Sequence, residues 1–594
     1  MLHVLPMVTA AADYNAFNDA LDTMLRAAGP MAISTTYFPD TLPPELKRNR
    51  NFGWITDPLL RADNQVFLLT IKNNFRPHAG CYVEVNPSTT ASFGYEGGYL
   101  LFPHDMPMLD SSIYTNYPDE YHRLLVMFKF WNIISYFNPY NYVLDKPIDS
   151  VLTNNVVNID TVTTAKAFYN GIIKITACLD DAHVEQLTYS EDFTWPNEYL
   201  PELLLRYIQG KYIVVKSGVP EIFKGDAIIS VDGRTTSQWE DSLRNYVSAG
   251  NISVFRRFMC QYLLLWGAVG STTNVVYADT SGATSSIILS RPLTLGNSWF
   301  PDVYYPTDSL SHITYTKMDC DIGYVNTSNL SYTQADNAYS KLRDAPAIIV
   351  DLRSSTSNDE GADELAWDMI PSTQYDSKFT MPDTSYPGTF YWYNQTSGDS
   401  SNSTPYEGTV ILLINEETQS HTEYYSMVFS ALPKVIKVGS QTAGADGNVT
   451  YFRLAPDIHT GFTNLGTYFP NGDSTQRIGI VPDSVVTPTI AGIMQGRDEV
   501  LEKALQIACS VALFVPQAVN EKNSLTLYPN PTTSSLAITA SYRINSVAIT
   551  NLLGQTVYRN EYNSEQVQVD VSGFPPGVYF IKVNGSEVRK FVKE

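Results

Sequence analysis

The chain has 594 residues, more than one hydrophobic core accommodates, so several domains are expected. Its 39 Lys and Arg residues against 61 Asp and Glu give a net charge of −22, which disfavours nucleic acid and anionic membranes as partners. No apolar run reaches the ~20 residues that span a bilayer. The five widely spaced cysteines predict neither a zinc site nor a dense disulfide framework, but at most one or two bridges.

The first third of the chain is predicted to hold an accessory domain followed by helices. Residues 1–120 mix short apolar runs with Pro, Asn and Gly turns and predict a small mixed or β-rich accessory domain. The first residues, MLHVLPMVTAAADYN, lack the basic and long apolar stretches of a secretory signal. Residues 121–200 are predicted to be mainly helical, because YHRLLVMFKFWNIISYF is apolar on all sides, as in a buried helix.

The remainder divides into three further parts. Residues 201–290 alternate Ile and Val with polar residues around two glycine turns and predict a small β-domain. Between residues 291 and 512, strands rich in Val and Ile alternate with helices, which predicts a largely parallel sheet. Residues 513–594 consist of short strand patterns separated by turn residues, typical of a β-sandwich of Ig-like size.

The segment TVILLINEETQSHTEY, Thr409–Tyr424, carries the clearest candidate nucleophile. Its apolar run predicts a buried strand, and the polar turn that follows places Ser420 just before a helix. A hydroxyl at such a junction lies near backbone N–H groups that can stabilise an oxyanion. The alternative is that Ser420 only caps the helix, with Glu423 completing a capping box.

Four blocks, in order, resemble the C-terminal processing and tricorn-like serine peptidases over roughly residues 120–510. The blocks are CLDDAHV, the PDZ-like GVPEIFKGDAIISVDGR, the pair IGYV and AIIVDLR, and the run from ILLINEETQSHTEYYSMVF through KVGSQTAGADGN to RIGIVPD. This resemblance implies an α/β (ClpP/crotonase-like) peptidase core, residues 291–512, with an inserted PDZ-like domain at 201–290. It also implies that the helical segment 121–200 belongs to the core and carries His183.

The resemblance also implies the catalytic residues. Ser420 would be the nucleophile, with oxyanion donors from the backbone of His421 and of the loop around Ser357. The family's Gly-Lys-Gly block falls at Gly444–Gly447, which lacks a lysine, so His183 is expected to be the general base, as in the tricorn branch. The candidate third members of the relay are Asp181, Asp446 and Gln476.

Structural interpretations stand beside these roles. His183 could be a core histidine, and Asp351 could cap a strand end while paired with Arg353. The PDZ-like segment either binds the extended end of a substrate at a sheet edge or only packs on the core as a gate or spacer.

The C-terminal part resembles the sorting domain of proteins exported by the type IX secretion system of Bacteroidetes. The resemblance rests on Tyr528–Pro531 (YPNP), Asn551–Gln555 (NLLGQ), Pro576–Tyr579 (PGVY) and the lysine-bearing end. It implies secretion to the medium or to the outer-membrane surface of a Gram-negative bacterium, with the type IX machinery as partner.

The sequence therefore predicts a multidomain α/β and β protein that acts as a secreted or cell-surface serine endopeptidase. Its expected substrates are peptides or unfolded proteins, and the chemistry requires neither a metal nor an organic cofactor. Two alternatives remain open: a catalytically inactive peptide-binding pseudopeptidase, and a surface adhesin or glycan-binding protein.

Overall fold

The computed structural model describes most of the chain, in two compact units. The described residues are 3–27, 49–73, 84–85, 99–101, 118–184, 199–268, 270–294, 313–328, 330–353, 359–383, 387–398, 402, 405–455, 458–513, 525–551, 554–585 and 587–594. The units are residues 1–512 and 513–594. Within the described residues, no helix is long and apolar enough to cross a membrane.

The described part of residues 1–120 contains helices and two short strands. Its elements are α1 (Leu5–Thr9), α2 (Tyr14–Ala27), α3 (Ala62–Asn73), β1 (Glu84–Val85) and β2 (Tyr99–Leu101). In α2, the apolar residues Phe17, Leu21 and Leu25 recur at four-residue spacing and form one helix face. Leu25 is buried in a small cluster with Ile55 and Leu68.

Three helices precede the predicted base. They are α4 (Glu120–Phe137), α5 (Ile148–Thr161) and α6 (Ala165–Ala177). Asp119 caps α4 by accepting a hydrogen bond from the His122 backbone N–H, and Thr164 caps α6 in the same way through Ala167. Their apolar faces form one core with strand residues further along the chain, including Phe452 and Phe462. This core fixes the position of the turn that follows α6 and carries His183.

The described residues of 199–294 form two antiparallel sheets and also contain helices. The elements are β3 (Tyr199–Leu200), β4 (Leu203–Ile208), β5 (Lys211–Ser217), β6 (Ala227–Val231), β7 (Arg234–Thr235), α7 (Thr236–Leu243), α8 (Ile252–Phe258), β8 (Thr272–Ala278), β9 (Thr284–Ser290) and β10 (Leu293–Thr294). The larger sheet has the order β4-β5-β6-β8-β9, with β7 paired to β6, and β3 pairs with β10 in a separate sheet. Gly225 and Gly233 adopt φ values of +102° and +79°, which explains why the sequence has glycine at these turns.

The next part of the chain, up to residue 513, contains the central sheet. The strands of this part of the chain, which belong to the central sheet and to two further sheets, are β11 (Tyr315–Lys317), β12 (Gly323–Asn326), β13 (Ala347–Asp351), β14 (Gln374–Pro382), β15 (Phe390–Ser397), β16 (Thr409–Ile414), β17 (Val435–Gly439), β18 (Val449–Ala455), β19 (Ile458–Thr463), β20 (Gly466–Tyr468) and β21 (Ser484–Val485). The helices of this part of the chain are α9 (Tyr332–Leu342), α10 (Asp359–Met369), α11 (His421–Ser430), α12 (Ile490–Gln495) and α13 (Glu499–Leu513).

The central sheet has the order β11-β12-β13-β16-β17-β21 and is parallel except for β11. One face, including Val350 and Leu412, packs against α9, α10 and α11. The other face, including Ile349 and Leu413, packs against α13. Burial on both faces explains the unbroken apolar runs of β13 and β16.

Two further sheets lie beside the central one. Strands β14 and β15 pair with β20, while β18 and β19 form a hairpin joined by β2 and β1. A disulfide joins Cys320 to Cys509, whereas Cys178 and Cys260 are free thiols. Cys81 lies outside the described residues.

The second unit is an antiparallel β-structure with its own core. Its strands are β22 (Leu525–Tyr528), β23 (Ser535–Asn551), β24 (Thr556–Asp570), β25 (Gly577–Val583) and β26 (Glu587–Lys593). The order is β22-β23-β25-β26, with β24 paired to β23. Leu536, Ile549 and Phe591 are among the fully buried residues of this core.

Candidate active site

Ser420 lies on a sharp turn between β16 and α11. Its backbone has φ +59° and ψ −128°, a conformation that residues other than glycine rarely adopt. Nucleophilic serines occur on strained strand-to-helix turns of this kind because the turn exposes the hydroxyl. The Ser420 side chain makes no capping hydrogen bond, so the structure does not contain the helix cap that the sequence offered as an alternative.

Hydrogen bonds on both sides hold this turn. The Ser420 backbone N–H donates to the Ala445 carbonyl at 2.9 Å. The Thr418 hydroxyl donates to the Leu352 carbonyl at the end of β13, at 2.8 Å. The turn is therefore tied to two neighbouring segments of the central sheet.

Glu423 is the third support of the turn. Its buried carboxylate accepts hydrogen bonds from the backbone N–H groups of Gly444 and Ala445, both at 2.9 Å, and from the Thr442 hydroxyl. Burial raises the pKa of this carboxyl. Glu423 therefore holds the segment whose Ala445 carbonyl in turn binds Ser420.

His183 is positioned by two residues. Its Nδ1 lies 2.9 Å from the Thr463 hydroxyl, at the end of β19. Asp181 accepts hydrogen bonds from the His183 backbone N–H at 3.0 Å and from the Thr463 backbone N–H at 2.8 Å. The nearer Asp181 oxygen is 3.8 Å from Nδ1. Asp181 thus fixes both partners of the imidazole contact, and sequence reasoning missed Thr463 because it is 280 residues away.

Ser420 and His183 line the same cleft, whose volume is about 560 Å³. The cleft is rich in aromatic side chains and also includes polar residues. Its lining includes Trp367, Phe379, Tyr393, Tyr424, Tyr451, Asp363, Gln395, His421, Asp446 and Asn448. Its size suits one or two residues of a bound peptide.

Asp446 and Gln476 differ in their relation to this cleft. Asp446 lines it and is 3% exposed. Burial and the nearby Glu423 carboxyl raise the pKa of Asp446 well above its usual range. Gln476 is buried and is not among the described lining residues of the cleft. It lies beside the 444–446 segment, since the Arg477 backbone N–H donates to the Gly444 carbonyl at 2.7 Å.

Of the two expected oxyanion donors, one belongs to a described residue and the other does not. His421 is the first residue of α11, and the first N–H groups of a helix have no partner within the helix's own hydrogen-bond ladder. Ser357 lies outside the described residues.

Asp351 and Arg353 have the structural role that the sequence offered as an alternative. Arg353 donates to Asp351 at 2.7 and 2.9 Å and to both oxygens of Asp498 at 2.8 Å. Tyr324 donates its hydroxyl to the same Asp351 carboxylate at 2.9 Å. All these residues are buried, so the ion network braces β12, β13 and α13 behind the turn.

One acidic group on α9 and α10 has carboxylates close enough together to share a cation. It consists of Asp336, Glu364 and Asp368. Burial and the charges of the other two carboxylates raise the pKa of Asp368 to about 6. None of the three is among the described residues that line the Ser420 cleft.

Two family profiles match parts of this chain. Residues 321–486 match the profile of peptidase family S41, and residues 526–594 match that of the secretion system C-terminal sorting domain. These matches confirm the predicted serine-type peptidase and sorting domain. A search of curated proteins gives no match.

Solved structures show the fold. Mature CPAF complexed with lactacystin is similar at 14% identity, covering 66% of this chain and 99% of that one, with a TM-score of 0.52. The photosystem II D1 C-terminal processing protease matches at 17% identity over 65% of this chain and 96% of that chain, with a TM-score of 0.38. The tricorn protease matches at 14% identity over 66% of this chain and 37% of its own, with a TM-score of 0.33. The family profile match and the CPAF structure together confirm the predicted peptidase-like fold, while the PDZ-like and Ig-like assignments stay predictions.

Proposed function

We propose that this chain, with its peptidase family S41 domain and secretion sorting domain, is an exported serine endopeptidase that forms an acyl-enzyme on Ser420. The observation that carries the proposal is the strained turn that presents Ser420 in the cleft that His183 also lines. An inactive scaffold has no need to retain a costly serine conformation beside a positioned histidine.

In the proposed reaction, His183 is the general base. The tautomer protonated at Nδ1 donates to Thr463 and carries its lone pair on Nε2, which accepts the Ser420 proton as Oγ attacks the peptide carbonyl carbon. The C–N bond then breaks, the amine leaves with the proton from His183, and water hydrolyses the ester by the reverse proton path.

Backbone donors would stabilise the oxyanion of each tetrahedral intermediate. The His421 N–H is one, because it belongs to the first turn of α11. We assign the second to the loop around Ser357. Among the candidate third members, Asp181 is favoured because it binds both His183 and Thr463. Gln476 and Asp446 have a weaker claim, since neither is tied to the imidazole in this way.

The remaining domains define where and on what the enzyme acts. The sorting domain implies secretion or attachment to the cell surface, which we place at the outer membrane of a Gram-negative bacterium with type IX machinery. We assign residues 201–290 as a PDZ-like domain that recruits or gates peptides or unfolded proteins, and residues 1–120 as an accessory domain. Residues 121–200 and 291–512 would form the peptidase core.

Covalent labelling with a fluorescent fluorophosphonate tests this function. The full chain should be labelled on Ser420, as mapped by peptide sequencing, and Ser420→Ala and His183→Ala should lose the label. Ser430→Ala is a matched control, because Ser430 is an exposed serine at the other end of α11 and should leave labelling intact. A folded protein that neither reacts with the probe nor cleaves any peptide of a mixed library would contradict the proposal.

A further inference from the structure

The cleft contains a buried carboxyl group that the proposed reaction does not use. Asp446 is 3% exposed, and among the described residues no hydrogen-bond partner reaches its Oδ2. A buried polar atom without a partner costs free energy, about 1–3 kcal/mol for a neutral group and more for an ion. Asp446 is one of the residues that line the cleft.

Aromatic rings line the same cleft as this carboxyl. The Phe379 ring lies 5.4 Å from that of Tyr393 and 6.0 Å from that of Tyr424, measured between centroids. A second carboxyl, that of Asp363, also lines the cleft, and its described lining contains no Lys or Arg. Aromatic faces combined with carboxyl groups are the surroundings that bind organic cations.

We propose that this cleft binds a basic side chain, arginine or lysine, of the peptide substrate, and that Asp446 is the specificity-determining residue that receives its cationic head. The inference rests on the proposed function, because it places the basic residue next to the bond that Ser420 attacks. The aliphatic stem would pack on the aromatic wall while the head supplies the missing hydrogen-bond donor to Oδ2.

Other side chains fit this cleft less well. A wholly apolar side chain would leave Oδ2 of Asp446 buried without a hydrogen-bond donor. An acidic side chain would meet two carboxyl groups. A cation instead favours the ionised form of Asp446, offsetting the effect of burial on its pKa.

The test compares peptides that differ only at the residue before the cleaved bond. Arginine, citrulline, norleucine and glutamate are placed there, and kcat/KM is measured with the full chain. Citrulline has nearly the shape of arginine without its charge, so the arginine-to-citrulline ratio reports the charge contact. We expect a ratio of roughly 30 or more, because citrulline can still donate hydrogen bonds but cannot offset the charge of a buried carboxylate.

Variants then assign the contact. Asp446→Asn should reduce the ratio to within about threefold of unity, whereas Asp363→Asn should retain most of it. An equal loss in both variants would show a general charge effect and overturn the role of Asp446. If Asp446→Asn does not fold, the arginine-to-citrulline ratio of the wild type still tests the preference for a basic residue.

Fluorophosphonate labelling in parallel distinguishes a failure of the basic specificity from a failure of the proposed peptidase function. Labelling of Ser420 with a wild-type ratio near unity, or with a preference for norleucine, would overturn the basic specificity and leave the peptidase intact. Absence of both labelling and cleavage would overturn both. Labelling with arginine preferred over citrulline supports both.

Discussion

At the scale of single residues, the site depends on a serine held against its backbone preference. A residue with a Cβ at φ +59° costs of order 1–3 kcal/mol, which the surrounding structure must supply. The Ala445 carbonyl, the Thr418 hydroxyl and the Glu423 carboxylate supply it through the bonds described above. Ser420 is therefore exposed to substrate by its neighbours and not by its own conformational preference.

Thr463 should act on catalysis through His183. Thr463→Val retains shape but removes the oxygen 2.9 Å from Nδ1, so kcat should fall roughly tenfold or more with a smaller change in KM. Thr463→Ser restores the oxygen and should recover most of the rate. Steady-state kinetics over a range of pH measures both, because a displaced imidazole also changes the acidic limb of the profile. Equal losses in the Val and Ser variants would show that Thr463 serves packing alone.

Asp446 should make stability depend on pH. Because burial raises its pKa in the folded state, the native carboxyl keeps its proton at pH values where the unfolded chain has already ionised. Its contribution to stability is complete below about pH 4 and is lost as pH rises toward the folded pKa, by at most about 1.4 kcal/mol per pH unit. Asp446→Asn removes this loss.

Urea unfolding at pH 4, 6 and 8 measures that effect. The midpoint of Asp446→Asn relative to wild type should rise with pH, whereas the exposed Asp473→Asn should show no comparable trend. A relative midpoint that falls with pH would mean that the native carboxyl is stabilised in its ionised form.

At the scale of elements, two arginines join the 199–294 region to the turn that carries Ser420. From β4, Arg206 donates to the Glu416 carboxylate at 2.7 Å. From α8, Arg257 donates to the Glu416 carbonyl at 2.8 Å and to the Gln419 side chain at 2.5 Å. These contacts end one residue before Ser420, so a movement of this sheet would reach the proposed nucleophile directly.

Arg257→Gln should therefore slow acylation. The substitution removes the hydrogen bonds of Arg257 to Glu416 and Gln419, which leaves the turn less restrained. We expect the rate of fluorophosphonate labelling to fall about tenfold or more, since small misplacements of reacting groups slow a reaction strongly. Arg256→Gln is the matched control, because the neighbouring Arg256 binds Glu240, away from the turn. Similar labelling rates in the two variants would show that the contacts of Arg257 do not position Ser420.

Local patterns predicted the elements, but not the contacts between them. The apolar runs of β13 and β16 and the helix after Ser420 followed from composition and turn residues alone. The contact between Thr463 and His183 could not be predicted from local patterns, since it spans 280 residues and depends on how the β18–β19 hairpin packs. For the same reason the sequence offered Glu423 only as part of a local cap, whereas the Gly444 and Ala445 N–H groups that it binds lie about twenty residues further along the chain.

At the scale of the whole molecule, the chemistry suits an exported protein. The Cys320–Cys509 disulfide closes a loop of 189 residues, and such bonds persist in oxidising compartments. It ties α13 to the start of the central sheet, just before the peptidase unit ends. The sorting unit has a core of its own, so the two functions belong to separate folding units.

Removal of residues 514–594 should therefore separate activity from export. Truncation after Leu513 leaves α13 and the disulfide in place, so labelling of Ser420 should stay within about twofold of the full chain. In a bacterium with the type IX machinery, the full chain should reach the medium or the cell surface, and the truncated chain should stay within the cell envelope. Fractionation followed by in-gel fluorescence reports location and activity together. Secretion of the truncated chain would contradict the sorting role, whereas loss of labelling would show that the peptidase unit needs its tail to fold.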